Sequence, residues 1–216
     1  MSPTLFPHPE PDTTLQAMLQ EVRGYWEGLR QEGALPSRAV IDPRGMAGAL
    51  SGAFLIERVG PGLARLRIAG MNFTNLLGMD ARGMPLSALF DPVGRNRLSG
   101  LLEQVFQRPA RAELLLRAET GLGRPELTGR MIVLPLAPDG ERGALALGCL
   151  AIAGKIGRQP RRLAISHARA EPVFPPDLRA PAARLYDLAD PPAFAVKPTP
   201  SAKPWLRLVD LEEARR

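Results

Sequence analysis

The placement of proline constrains this chain more than any other feature of its sequence. Of 23 prolines in 216 residues, four fall within residues 1–12 and ten within residues 160–216, which leaves nine for the 147 residues between them. Proline fixes φ and carries no amide proton, so dense proline blocks regular hydrogen-bonded ladders. The folded unit is therefore expected over residues 13–157. A flexible N-terminus over 1–12 precedes it, and a proline-rich C-terminal extension over 158–216 follows it. With 45% hydrophobic residues the chain has enough apolar material for a core. A disulfide scaffold is excluded, because Cys149 is the only cysteine. No apolar run approaches the roughly 20 residues of a membrane span. The opening Met1-Ser-Pro-Thr-Leu-Phe-Pro-His-Pro-Glu10 has neither a basic nor an apolar leader region, which points to the cytoplasm.

Inside those limits the apolar residues fall into two periodicities. Leu15, Met18, Leu19, Val22, Trp26 and Leu29 recur three and four apart, so a helix over 13–32 carries them on one face. Asp42-Pro43 opens a short helix near 43–50, with Asp as cap and Pro at the first position. Residues 53–59 and 63–69 read as strands joined by Gly60-Pro61-Gly62, a hairpin. Short helical turns follow at 72–77, closed by Gly78, and at 85–90. Asp91-Pro92 then opens a longer helix with Leu98, Leu101, Leu102, Val105 and Phe106 on its buried face, and Pro109 stops it. Three more strands are expected at 111–119, 127–136 and 144–152. Their short links require an antiparallel sheet, since parallel crossovers need about a dozen residues or more.

The order is helix, hairpin, short helices, a longer helix, then three strands. The runs Tyr25-Trp26-Glu27-Gly28-Leu29-Arg30, Leu35-Pro36-Ser37-Arg38 and Ile41-Asp42-Pro43 add detail to it. So do Leu66-Arg67-Ile68-Ala69-Gly70, Leu76-Leu77-Gly78 and Arg82-Gly83. Together, over roughly 15–155, they resemble a bacterial PAS family of small, mostly stand-alone proteins common in alphaproteobacteria. The resemblance implies an α+β fold: a five-stranded antiparallel sheet with helices inserted between strands two and three. It also implies a pocket between sheet and helices, and dimerisation through flanking helices. It names no ligand.

The residues present limit the chemistries open to the chain. The two histidines, His8 and His167, lie outside the expected core, so an imidazole ligand for haem is lacking there. The stretch Gly70-Met-Asn-Phe-Thr-Asn-Leu-Leu-Gly78 has no cysteine, which argues against LOV-type flavin chemistry. Cys149 reads as a small buried apolar residue. No metal-ligand spacing, nucleophile motif or phosphate loop is present, so no catalytic residue is assigned and the chain is expected to be non-enzymatic.

The candidate ligand pocket comprises Phe54, Ile56, Phe73, Leu76, Leu77, Leu89, Met131 and Val133. Arg67 joins it if its face of the second strand points inward. The competing register leaves Arg67 exposed and turns Leu66 and Ile68 in. The candidate partner or dimer interface comprises the helix stripe Leu15, Met18, Leu19, Val22, Trp26 and Leu29, with Trp205 and Leu208 from the tail. The expected function is a sensory or protein-interaction module, dimeric, acting through an unidentified protein partner or a dimer rearrangement, with a small-molecule ligand left open. Two alternatives stand beside it. One is a nucleic-acid or acidic-surface binder. The net charge is +6, and 25 of the 28 basic residues are arginine. That reading requires Arg95, Arg97, Arg161 and Arg162 to cluster on one face, and the scatter of charge along the chain argues against it. The other is a small enzyme with a sheet-and-helix pocket, which requires a carboxylate-bearing cavity.

Overall fold

The computed structural model describes residues 13–138 and 143–174. Helix α1 (Thr13–Gly28) leads through two short 3-10 helices, Arg38–Val40 and Pro43–Ala49, into strands β1 (Ala53–Gly60) and β2 (Leu63–Ala69). Helix α2 (Met71–Leu77), a 3-10 turn at Leu86–Leu89 and helix α3 (Pro92–Gln107) follow. Strands β3 (Ala110–Ala118), β4 (Leu127–Pro135), β5 (Leu145–Gly154) and β6 (Leu163–Pro172) complete the described chain. All six strands form one antiparallel sheet in the order β2-β1-β5-β4-β3-β6.

Local chemistry explains the boundaries. Asp91 caps α3 by accepting from Gly94 N at 2.6 Å, with Pro92 at the first helical position. Asp42 caps its 3-10 helix in the same way, accepting from Arg44 N at 2.9 Å. Helix α1 stops at Gly28 rather than at 32. Gly28 is a poor helix former, and the chain turns over through Glu32 (φ 51°) and Gly33 (φ 80°), both left-handed.

The sheet has two covered faces. On the inner face, α2, the 3-10 turn and α3 close over Phe54, Ile56, Leu66, Met131 and Val133. On the outer face, Leu15, Leu19, Val22 and Trp26 of α1 pack against Leu55, Ile132, Leu134 and Leu147. Strand β5 is buried from Leu145 to Ala151 without interruption, because its successive side chains enter opposite cores.

Two expectations are corrected here. The sheet has six strands, not five, and the folded unit runs past residue 157. Strand β6 pairs with β3 from Ala110↔Pro172 to Ala118↔Leu163. It sits in the segment that proline density marks as a tail. Its only proline, Pro172, is the last residue of the strand, where a missing amide costs the ladder little. Leu163 and Ile165 enter the inner core. Asp91 N donates to Leu163 O at 3.1 Å, and Arg97 Nη1 to Ile165 O at 2.8 Å. Leu163→Ala is therefore expected to cost about 2–5 kcal/mol in urea unfolding, the range for a buried leucine. A loss below about 0.5 kcal/mol, typical of surface positions, would contradict the integration of β6.

Candidate functional site

Two regions carry the residues that the sequence nominates, one on each face of the sheet. On the inner face all eight apolar pocket candidates come together. Phe54 and Ile56 arrive from β1, Met131 and Val133 from β4, Phe73, Leu76 and Leu77 from α2, and Leu89 from the 3-10 turn. The Phe54 and Phe73 rings meet edge to face, with centroids 5.2 Å apart and planes at 68°.

Sequence reasoning missed the residue that permits this contact. Gly148 on β5 lies directly opposite Phe54 and Val133 in the ladder. A Cβ there would stand 2.3 Å from Phe54 Cζ and 2.5 Å from Ile132 O. Only glycine lets the Phe54 ring lie across β5 toward α2. A glycine within an otherwise apolar strand was the available signal.

Arg67 is not part of this cluster. A bulge in the β1–β2 ladder pairs Leu55 with Ile68 but Ile56 with Leu66, which leaves Arg67 as the extra residue. Alternation breaks there, so Leu66 faces the inner core while Ile68 faces outward beside Leu55. Neither register read from the sequence holds across the whole strand. Arg67 Nη2 donates to Glu57 at 2.9 Å, and Arg65 Nη2 donates to the other Glu57 oxygen at 2.8 Å. Those hydrogen bonds, Arg65's first, hold the Glu57 carboxyl below its ordinary range.

The α1 stripe is corrected as well. Leu15, Leu19, Val22 and Trp26 are fully buried on the chain's own sheet, and Met18 packs half-buried beside them. Leu29 lies just past the helix end and is half-buried. The stripe therefore cannot meet a partner while α1 is docked. Trp26 Nε1 donates to Pro135 O at 2.9 Å, so its one polar atom is satisfied inside the core. Glu21 accepts from Gly48 N at 2.9 Å, and the Tyr25 hydroxyl accepts from Asp42 N at 2.7 Å. Arg23 pairs with Glu113 at 3.1 Å and Glu27 with Arg111 at 2.9 Å, which ties both sides of α1 to β3 and the 3-10 segment. Trp205 and Leu208 lie outside the described residues.

The PAS domain family model matches residues 15–151, well over half of the chain, from α1 into β5. The chain belongs to the PAS domain family. Among solved structures, a fungal LOV domain photoreceptor matches at 16% identity, covering 65% of this chain and 91% of its own, with a TM-score of 0.35. A search of curated proteins found no match.

In this PAS domain the single cysteine sits on the side of the sheet opposite α2. Cys149 belongs to the outer cluster beneath α1, where burial and the Glu21 carboxylate push its thiol up to about 12. His167 is exposed on β6. The four arginines invoked for nucleic acid donate instead to main-chain carbonyls. Arg95 bonds Phe90 O at 3.1 Å, Arg97 bonds Ile165 O, and Arg162 bonds Ala88 O at 2.9 Å. Arg161 is 1% exposed and bonds the carbonyls of Glu119, Pro125 and Ile156, so it stitches the β5–β6 connection to the β3–β4 loop. Burial lowers its pKa from the ordinary arginine value. Its place two residues before Leu163, in step with Ile165, was the readable sign that it points inward.

The packing of Phe54 over Gly148 is directly testable. Gly148→Ala is expected to destabilise the domain by about 1–3 kcal/mol, the usual cost of overpacking, and to displace the Phe54 and Phe73 ring resonances in NMR spectra. An unchanged melting curve with unchanged ring shifts would contradict that close approach.

Proposed function

We propose that this PAS domain is a non-catalytic sensory module in which a change in the inner core is reported through the docking of α1 on the outer face. The observation that supports the reading is the shared backbone of the two cores. On β4, Met131 and Val133 enter the inner core, while Ile132 and Leu134 support α1. On β5, Ala146 and Leu150 face one core, while Leu147, Cys149 and Ala151 face the other. Packed interiors transmit volume changes, because they hold few voids to absorb them. A shift of β4 or β5 toward or away from the inserted helices therefore moves the seat of Trp26.

The stimulus in this reading is a ligand or a partner that stabilises one arrangement of α1, a population shift. A ligand taken up between Phe54, Phe73, Leu89 and Met131 would be apolar, since those side chains offer no polar group. The output leaves through a protein partner or through a second copy in a dimer, in the cytoplasm. Release of α1 is what frees Leu15, Leu19, Val22 and Trp26 to meet either one.

The coupling can be read from Trp26 alone, because the chain has two tryptophans and Trp205→Phe removes the other. In that background Val133→Ala opens a hole on the inner face, directly behind Ile132 and Leu134. It is expected to shift Trp26 emission to longer wavelength, although Val133 lies on the other side of the sheet. Identical emission, with stability lowered by the roughly 1.6 kcal/mol of the two lost carbons, would reduce α1 to a passive cover and overturn the reading.

A further inference from the structure

An apolar groove of about 230 Å³ lies on the outer face, between the short 3-10 helices and the β1–β2 edge. Its walls include Ile41, Met46, Leu50, Leu55 and Ile68, and the one charged residue lining it is Arg38. The bulge at Arg67 builds this groove by turning Ile68 outward beside Leu55. Ile68 remains 50% exposed and Leu50 42% exposed. Two bulky aliphatic side chains held half in water around a concave wall are a mark of a binding surface.

Arg38 gives the groove its polarity. Its guanidinium makes one long bond, 3.4 Å from Nη1 to Ile41 O, and no carboxylate among the described residues pairs with it. Arginines elsewhere on the sheet differ. Arg65 and Arg67 share Glu57, and Arg111 is held by Glu27 and Glu171. A guanidinium presents a planar fork that matches a carboxylate. An apolar wall with one uncommitted guanidinium is complementary to an amphipathic anion. The cavity is smaller than the 300 Å³ or more typical of drug-sized sites, which limits the apolar body to roughly ten non-hydrogen atoms.

We propose that this groove binds a small amphipathic carboxylic acid, with its hydrocarbon body against Met46, Leu50 and Ile68 and its carboxylate on Arg38. The groove opens on the face opposite the inner core, although Phe54 and Ala69 border both. It stands or falls independently of coupling between that core and α1.

The test uses the full chain with labelled isoleucine, leucine and methionine methyl groups, titrated with sodium octanoate below its micelle concentration and followed by NMR. Octylammonium and octanol serve as matched probes. Octanoate is expected to shift the Met46, Leu50 and Ile68 methyl signals saturably. Octylammonium and octanol are expected to bind at least about tenfold more weakly, and Arg38→Gln to weaken octanoate by about tenfold or more, the scale of a charged hydrogen bond. Ile68→Glu, at a half-exposed position, is expected to abolish the shifts while leaving the rest of the spectrum in place. Should that variant disturb the fold, Arg38→Gln and the octylammonium comparison still decide the matter. Equal affinity for octanoate and octylammonium, indifference to Arg38→Gln, or shifts that never saturate would each overturn the proposal. So would Leu50 and Ile68 signals that change on raising protein concentration without octanoate, because a second copy would then occupy the groove.

Discussion

Everything in this domain depends on two central strands being buried on both faces. Strand β5 lies between β1 and β4, and every residue from Leu145 to Ala151 is buried. The inserted helices need its inner face, and α1 needs its outer face. The sheet lies between the two sets, and the segment after the second 3-10 helix is a further link, since Asn72 N of α2 donates to Ser51 O at 2.8 Å. The hydrophobic effect that holds α1 down therefore acts on the same backbone that forms the floor of the inner core. Trp26 is the largest side chain in that outer contact. Its ring is fully buried, and its indole proton is taken by Pro135 O, a carbonyl on the last residue of β4.

Charge is used on this scaffold mainly to fasten elements to one another. Glu113 on β3 takes Arg23 from α1 and Arg169 from β6, and Arg111 bridges Glu27 and Glu171. Pairs of this kind are worth at most about 1 kcal/mol each when half-exposed, so they orient α1 rather than hold it. Arg161 is different. Its buried guanidinium meets three carbonyl oxygens and no carboxylate, so it fixes a loop by hydrogen bonding. Much of the chain's arginine excess is thus read out inside the molecule. Arg38 borders an apolar groove, with one long bond to Ile41 O and no carboxylate partner among the described residues.

Much of the architecture was legible in the sequence, for identifiable reasons. Strands β1 to β5 lie within about two residues of their expected limits, because Gly60-Pro61-Gly62 and the caps Asp42 and Asp91 are chemically unambiguous. The shared inner face of Phe54 and Ile56 on β1, and of Met131 and Val133 on β4, was readable from strand alternation. What was lost was lost to local exceptions. β6 was hidden by counting prolines over a long window, although Leu163 and Ile165 alternate with Ala164 and Ser166. The register of β2 was undecidable, because a bulge at Arg67 leaves no signature in a run such as Leu66-Arg67-Ile68. The α1 stripe was visible, but its target was not. The uninterrupted apolar run Leu145–Ile152 was the clue that β5 needs a cover on each side.

The central claim is that α1 is a docked element able to leave its seat while the sheet stays folded. Native-state hydrogen exchange measures this directly, because amides that open together report the free energy of that opening. The account predicts that the α1 amides from Leu19 to Trp26 exchange through a sub-global opening of lower free energy than the β4 and β5 amides. It also predicts that this opening exposes Cys149 to alkylation. Exchange of α1 at the same free energy as Met131 and Leu150, in one global unfolding step, would contradict it.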